Sequence, residues 1–205
     1  NVEWIDSEDV HEGNVEEVLA GLDGVIVPGG FGMRGIEGKI ETSLYARENN
    51  IPYLGICLGM QIASIDFARN VLGYKDANST EFDKDTKNPV IYINEESPEA
   101  GEMRLGSYPC KLLEGSKIKA CYGKDTIGER HRHRYQFNNK YREEMEAKGF
   151  IVSATSDDGK IVEAIEVKDN DFFVAVQYHP EFKSRPNRPH PLFTGLLRAA
   201  IEGRK

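Results

Sequence analysis

Two short apolar runs, GVIV at residues 24–27 and PYLGI at residues 52–56, each end in a glycine-bearing turn and lead straight into helical spacing. After the first, the loop 28–38 carries Gly29, Gly30, Gly32, Gly35 and Gly38, and Ile36, Ile40, Leu44 and Tyr45 then recur on one helical face. After the second, Leu58, Ile62, Ile65, Ala68 and Leu72 mark one face of a helix over 58–72. A buried strand feeding a helix through a tight turn is the unit of an α/β sheet with covering helices. A third apolar run, FFVAV at 172–176, ends at Gln177-Tyr178-His179, and a Pro-studded loop over 183–191 leads to a helix from Leu192 to about Gly203.

The remaining segments complete an open, mixed, mostly parallel sheet flanked by helices, with a smaller antiparallel portion. Residues 2–5 read as a short strand and 15–22 as a short helix. Residues 74–101 are polar and read as a long surface excursion, while 103–113, 130–137, 150–156 and 161–165 read as strands of the more antiparallel half. Ligands of such sheets sit at the carboxyl ends of the strands. The 205 residues correspond to one domain, 1–205, large enough to bury a core without staples.

Composition removes several classes of function. A net charge of −8 is wrong for a chain that binds nucleic acid by neutralising phosphates. The apolar runs fall well short of the roughly 18 residues a membrane span needs, and the N-terminal residues lack the pattern of a signal peptide. Cys57, Cys110 and Cys121 have no CxxC spacing, so neither a disulfide framework nor a Cys-rich zinc site is expected. The expectation is a soluble, cytoplasmic chain.

Four constellations carry chemistry. Gly55-Ile56-Cys57-Leu58-Gly59 is G-x-C-x-G at a strand-to-helix junction, where a tight turn exposes the central side chain and the helix N-terminus favours thiolate. Cys57 could equally be a small buried hydrophobe. His179, followed by Glu181, offers a base and an orienter after an apolar strand, although His-x-Glu spacing alone fixes no geometry. The turn PGGFG at 28–32 suits an oxyanion hole or a phosphate cradle. In Arg130-His131-Arg132-His133-Arg134 a strand would put the arginines on one face and the histidines on the other. That run admits a nucleic-acid stripe, a His-x-His metal site without a convincing third ligand, or an arginine fork for a carboxylate.

Together these pieces resemble the glutaminase domain of the CTP synthases, a family of class I, triad-type glutamine amidotransferases with a flavodoxin-like fold. GICLGMQ at 55–61 and QYHPEF at 177–182 resemble the nucleophile and His-Glu segments of class I enzymes. PGGFGMRG at 28–35, NSTEF at 78–82, MRLG at 103–106, ERHRHRYQFN at 129–138 and SRPNRPHPLF at 184–193 resemble the CTP synthase branch.

The resemblance implies Cys57 as nucleophile, His179 as base and Glu181 as its orienter. It implies an oxyanion hole from Gly30 and the Leu58 N–H. Gly29, Phe31, Gln61, Glu81 and Arg134 would surround L-glutamine, with Glu81 at the α-ammonium and Arg134 at the α-carboxylate, as charge complementarity also suggests. No metal or cofactor is expected in this domain. ATP and Mg²⁺ belong to a synthetase domain that binds UTP, GTP is the expected activator, and the whole enzyme is expected to be a homo-oligomer. Residues 103–106 resemble part of a loop tied to GTP activation, with Arg104 its charged residue. Relative to the family, the first βα unit and the synthetase domain are not in the sequence, so synthesis of CTP is not expected from this chain alone. A γ-glutamyl peptidase-like Cys hydrolase and a non-catalytic interaction domain with a vestigial site are the alternatives.

Overall fold

The computed structural model describes residues 1–94 and 101–203. The apolar runs become parallel strands: β1 (Val25–Val27) pairs with β2 (Tyr53–Ile56), and β2 pairs with β10 (Phe173–Val176). From β10 the sheet continues antiparallel through β9 (Val162–Val167), β8 (Phe150–Thr155), β5 (Arg104–Leu112) and β6 (Thr126–His133), giving seven strands in the order β1-β2-β10-β9-β8-β5-β6. The mixed, helix-flanked sheet is as expected, but its antiparallel portion is the larger one. Within this sheet, among the described residues, the β1–β2 and β2–β10 ladders are parallel and the other four antiparallel; β1 and β2 are joined by a crossover helix, as adjacent parallel strands require.

Two of those helices, α2 (Ile36–Glu48) and α3 (Leu58–Asn70), cover one face. Strand alternation divides the core: Tyr53, Phe173 and Ala175 face the α3 side, while Leu54, Ile56, Val174 and Val176 face the side covered by α6 (Pro191–Glu202). Tyr53 and Phe173 stack across the β2–β10 ladder with centroids 4.3 Å apart. Eleven of the thirteen α3 residues are buried, so this helix is sandwiched rather than amphipathic. Its buried Asp66 accepts from Ser43 Oγ (3.0 Å), Arg47 Nε (3.1 Å) and Nη2 (3.0 Å), and Asn70 Nδ2 (3.1 Å), which locks α2 onto α3. Removing Arg47 would leave a buried charge unpaired, at about 3–5 kcal/mol.

Short helices complete the chain: α1 (Val15–Leu19), which packs through Val15 and Leu19 onto Val10, then α4 (Lys117–Tyr122) and α5 (Arg142–Glu146). The 15–22 helix is thus shorter than its apolar spacing suggests. Two further expectations fail. Residues 2–5 form no strand; Val2 and Trp4 are 82% and 91% exposed, and without a ladder an apolar run is only extended chain. The 74–101 stretch is not only a surface excursion. It contains β3 (Ala77–Ser79) and β4 (Asn88–Tyr92), which form a second, three-stranded sheet with β7 (Gln136–Phe137), and Ala77, Val90 and Ile91 are fully buried beside α3. Residues 95–100 of that stretch lie outside the described residues.

Candidate active site

Cys57 is the single residue between the end of β2 and the start of α3, with φ 50° and ψ −97°. A non-glycine residue held there costs on the order of 1–3 kcal/mol and persists only where the surroundings enforce it. Here they do. The Cys57 N–H donates to Val176 O (2.7 Å) on β10, and its carbonyl accepts from Met60 N (3.1 Å) in the first turn of α3. Glycine at 59 is obligatory for the close approach, since a Cβ would stand 2.1 Å from Val27 O of β1. The elbow therefore sits at the carboxyl ends of three parallel strands, with its sulfur at the N-terminus of α3.

His179 emerges from the neighbouring β10. Its N–H donates to Arg130 O (2.8 Å), its ring stacks on Phe182 (4.9 Å, 16°), and Nδ1 lies 2.6 Å from Glu181 Oε1. Assigning the Nδ1 proton to that carboxylate leaves Nε2 facing inward, buried and without a partner at hydrogen-bonding geometry. Burial alone would push this imidazole down. Charge and hydrogen-bonding attraction from Cys57 and Glu181 together outweigh it, and the pKa rises to about 9. Gly29 shows how closely these groups meet: a Cβ there would lie 2.9 Å from His179 Cε1 and 3.5 Å from Cys57 Cβ. Cys57, His179 and Glu181 are thus brought together as expected.

The other expected residues form a rim of uneven character. Glu81, half-buried after β3, accepts the Gly32 N–H at 2.9 Å and so ties the glycine loop to the second sheet. Phe31 is 51% exposed, with the Arg132 guanidinium 5.5 Å from its ring centre. Gly30 lies against Leu58, where a Cβ would meet Cδ2 at 3.1 Å. Arg134 is exposed in the bend between β6 and β7, between His133 and Tyr135, and two residues before it the Arg132 carbonyl is 3.9 Å from Cys57 Sγ. Gln61 is buried; its Nε2 donates to Tyr135 O and Gln177 Oε1, both at 3.3 Å, so its amide is already bonded to protein.

Two features escape sequence reasoning. Gln177 Nε2 donates to Cys57 Sγ at 3.6 Å, placing a side-chain donor on the sulfur; its position within QYHPEF was the available signal. The second is a buried polar network behind β10. Arg104, which the resemblance put in an activation loop although 103–113 read as a strand, begins β5 as that strand and turns inward, with Nη1 2.6 Å from Glu163 Oε1, although neither carboxylate oxygen receives an aligned hydrogen bond. His131 Nδ1 is 3.6 Å from Glu163 Oε2 and 3.2 Å from His133 Nε2. Burial pushes Glu163 up to about 7 and His131 and His133 down to about 2 and 3, the last two helped by the Arg104 charge.

The His-x-His pair read from the sequence as lacking a third metal ligand does not act as a pair here, but one of its histidines has other ligand types beside it. Ligand atoms of Cys110, His131 and Glu163 all lie within 4.8 Å of one another. Arg104 already supplies a positive charge at Glu163, which makes the trio a structural network rather than a fitted cation site. As expected of a strand, β6 alternates, burying His131 and His133 and exposing Arg130 and Arg132.

Known proteins resemble this chain along nearly its whole length. The family model for class-I glutamine amidotransferases matches residues 1–199. The chain is 57% identical to the CTP synthase of Bacillus subtilis over 98% of its own length and 38% of the relative's. It is 57% identical to that of Carboxydothermus hydrogenoformans over 100% of its length and 39% of the relative's. It thus spans about two fifths of the curated relatives it matches. Among solved structures, the glutaminase domain of the Trypanosoma brucei CTP synthase with bound acivicin superposes with a TM-score of 0.93 at 39% identity, covering 98% of this chain and 81% of that one. A Thermoplasma acidophilum protein described as a GMP synthase subunit shares the fold, with a TM-score of 0.61 at 19% identity, covering 98% of this chain and 79% of that one. The chain belongs to the class-I glutamine amidotransferases and, within them, to the glutaminase domains of the CTP synthases.

Proposed function

We propose that the chain hydrolyses the side-chain amide of L-glutamine, with Cys57 as nucleophile, His179 as general acid and base, and Glu181 holding the imidazole. The observation that carries this reading is the meeting of a strained Cys57 (φ 50°) with the inward Nε2 of a histidine whose Nδ1 is 2.6 Å from Glu181. The Cys57 thiolate attacks the carboxamide carbon, and the oxygen gains charge opposite the N–H groups of Gly30 and Leu58. Leu58, in the first turn of α3, has no acceptor within its helix. The C–N bond breaks as His179 Nε2 gives its proton to the departing ammonia. A water molecule, deprotonated by the same nitrogen, then cleaves the γ-glutamyl thioester to glutamate and restores the thiolate. An imidazolium raised to about 9 supplies the first proton across the neutral range.

Glu81 and Arg134 offer opposite charges to the α-ammonium and α-carboxylate, and Gly29, Phe31 and Gln61 line the space between. We further infer that the ammonia serves a synthetase domain converting UTP to CTP with ATP and Mg²⁺, under GTP activation, in a cytoplasmic homo-oligomer. The CTP synthases that this chain matches support that setting. Among the described residues no helix is long and apolar enough to cross a membrane. The test is ammonia release from glutamine by the protein and its Cys57→Ala form. Release that survives the substitution refutes the assignment. In the complete synthase, Cys57→Ala should abolish glutamine-dependent synthesis of CTP and spare synthesis from added ammonia.

A further inference from the structure

The segment that follows His179 folds back along the β5–β6 hairpin and encloses a groove of about 450 Å³ lined by Ser107, Arg130, Phe182, Lys183, Arg185 and Arg188. Four of these six residues are cationic, on a chain whose net charge is −8. The arrangement is built rather than incidental. Arg185 and Arg188 exchange backbone hydrogen bonds (3.1 and 3.0 Å), which sets their side chains at the two ends of one tight turn. Lys183 Nζ reaches Gly128 O and Glu129 Oε1, which pins the turn to β6.

Little negative charge answers these cations. Glu129 is 1% exposed and its Oε1 is already shared by Lys183, His190 and Tyr122. Glu181 is engaged with His179. Among the described residues neither Arg130 nor Arg188 has an acidic partner within ion-pair distance. Like charges gathered on low-dielectric walls repel one another, and guanidinium forks match the oxygens of a phosphate group in geometry as well as charge. The volume suits a small polyanion rather than a single ion.

We infer that this groove is a binding site for a small phosphate-bearing anion, either an inorganic polyphosphate or the phosphate chain of a nucleotide. It shares no lining residue with the glutamine rim, and the inference stands whether or not Cys57 hydrolyses glutamine. It does adjoin the base: Phe182 stacks on the His179 ring, and the Arg130 carbonyl holds the His179 N–H.

The experiment is calorimetric titration of the whole chain with inorganic tripolyphosphate and, separately, with a nucleoside triphosphate, at fixed ionic strength. The chain carrying both Arg130→Ala and Arg188→Ala and an Arg34→Ala control are titrated alongside, with thermal unfolding as a check that each is folded. Saturable one-to-one binding, weakened at least tenfold in the double variant and unchanged in the control, supports the site. Equal affinity for the two probes then assigns recognition to the phosphate chain alone, and tighter nucleotide binding assigns it to a nucleotide. Binding that does not saturate, or that is equally strong in a folded double variant, overturns the inference.

Discussion

Gln177 Nε2 donates to the Cys57 sulfur at 3.6 Å, while Gln177 Oε1 accepts from Gln61 Nε2, which also reaches Tyr135 O. This relay leaves the Gln177 amide one orientation, with its donor on the nucleophile. Hydrogen bonds to a charged group contribute about 1.5–3 kcal/mol. Gln177→Leu should therefore lower kcat for glutamine by roughly ten- to 150-fold with little change in KM, since the bond is to the sulfur and not to substrate. Steady-state kinetics check this; a raised KM at unchanged kcat would place Gln177 with substrate binding instead.

Glu81→Gln and Arg134→Ala should do the opposite and raise KM. Each removes a charge offered to one end of the amino acid, so kcat/KM should fall roughly ten- to 150-fold. Glu81→Gln keeps an acceptor for the Gly32 N–H, which separates the loss of charge from collapse of the glycine loop. A control substrate without the α-carboxylate should be insensitive to Arg134→Ala. Equal sensitivity would remove Arg134 from recognition.

Glycine substitutions should separate chemistry from folding. Gly59→Ala places a Cβ 2.1 Å from Val27 O, a backbone atom that cannot swing away, and should destabilise by about 3 kcal/mol or more in denaturant unfolding. Gly29→Ala meets the His179 ring at 2.9 Å, and the imidazole can shift, so activity should fall with a smaller loss of stability. The reverse ranking of stabilities would contradict this account of the elbow.

These positions also show what could be read from residues alone. The elbow was legible only in company: G-x-C-x-G alone leaves Cys57 as readily a small buried hydrophobe and His-x-Glu spacing fixes no geometry, and it was the family resemblance across GICLGMQ and QYHPEF that gave Cys57, His179 and Glu181 their roles. The extent of the antiparallel sheet was not legible, since strand direction depends on connections that apolar runs do not encode. Nor was β4, whose short run Val90-Ile91 lies in a polar stretch and is buried only because α3 lies over it. The inward pairing of Arg104 was not legible either, because its partner, Glu163, is distant in sequence and meets it only across the folded sheet.

The buried ionisable groups should give a stability maximum near pH 6.5. His131 and His133 are held below their ordinary 6.5, so unfolding takes up their protons in acid and stability is lost as pH falls. Glu163, raised above its ordinary 4.5 to about 7, opposes one of the two between those values. The net is one proton, or about 2 kcal/mol lost between pH 6.5 and 5. Above 6.5, His179, raised to about 9, contributes stability that fades as pH climbs through that value. Denaturant unfolding across pH 5–9 checks the curve; stability rising steadily to pH 9 would contradict it.

The most direct test of the central claim is peptide mapping after incubation with acivicin, the compound bound in the Trypanosoma brucei glutaminase domain. Burial raises the pKa of both Cys110 and Cys121, which keeps their thiols protonated and inert. The account predicts one adduct per chain, on Cys57, formed much more slowly in His179→Ala and suppressed by excess glutamine. An adduct on Cys110 or Cys121, or labelling of Cys57 that glutamine does not slow, would contradict it.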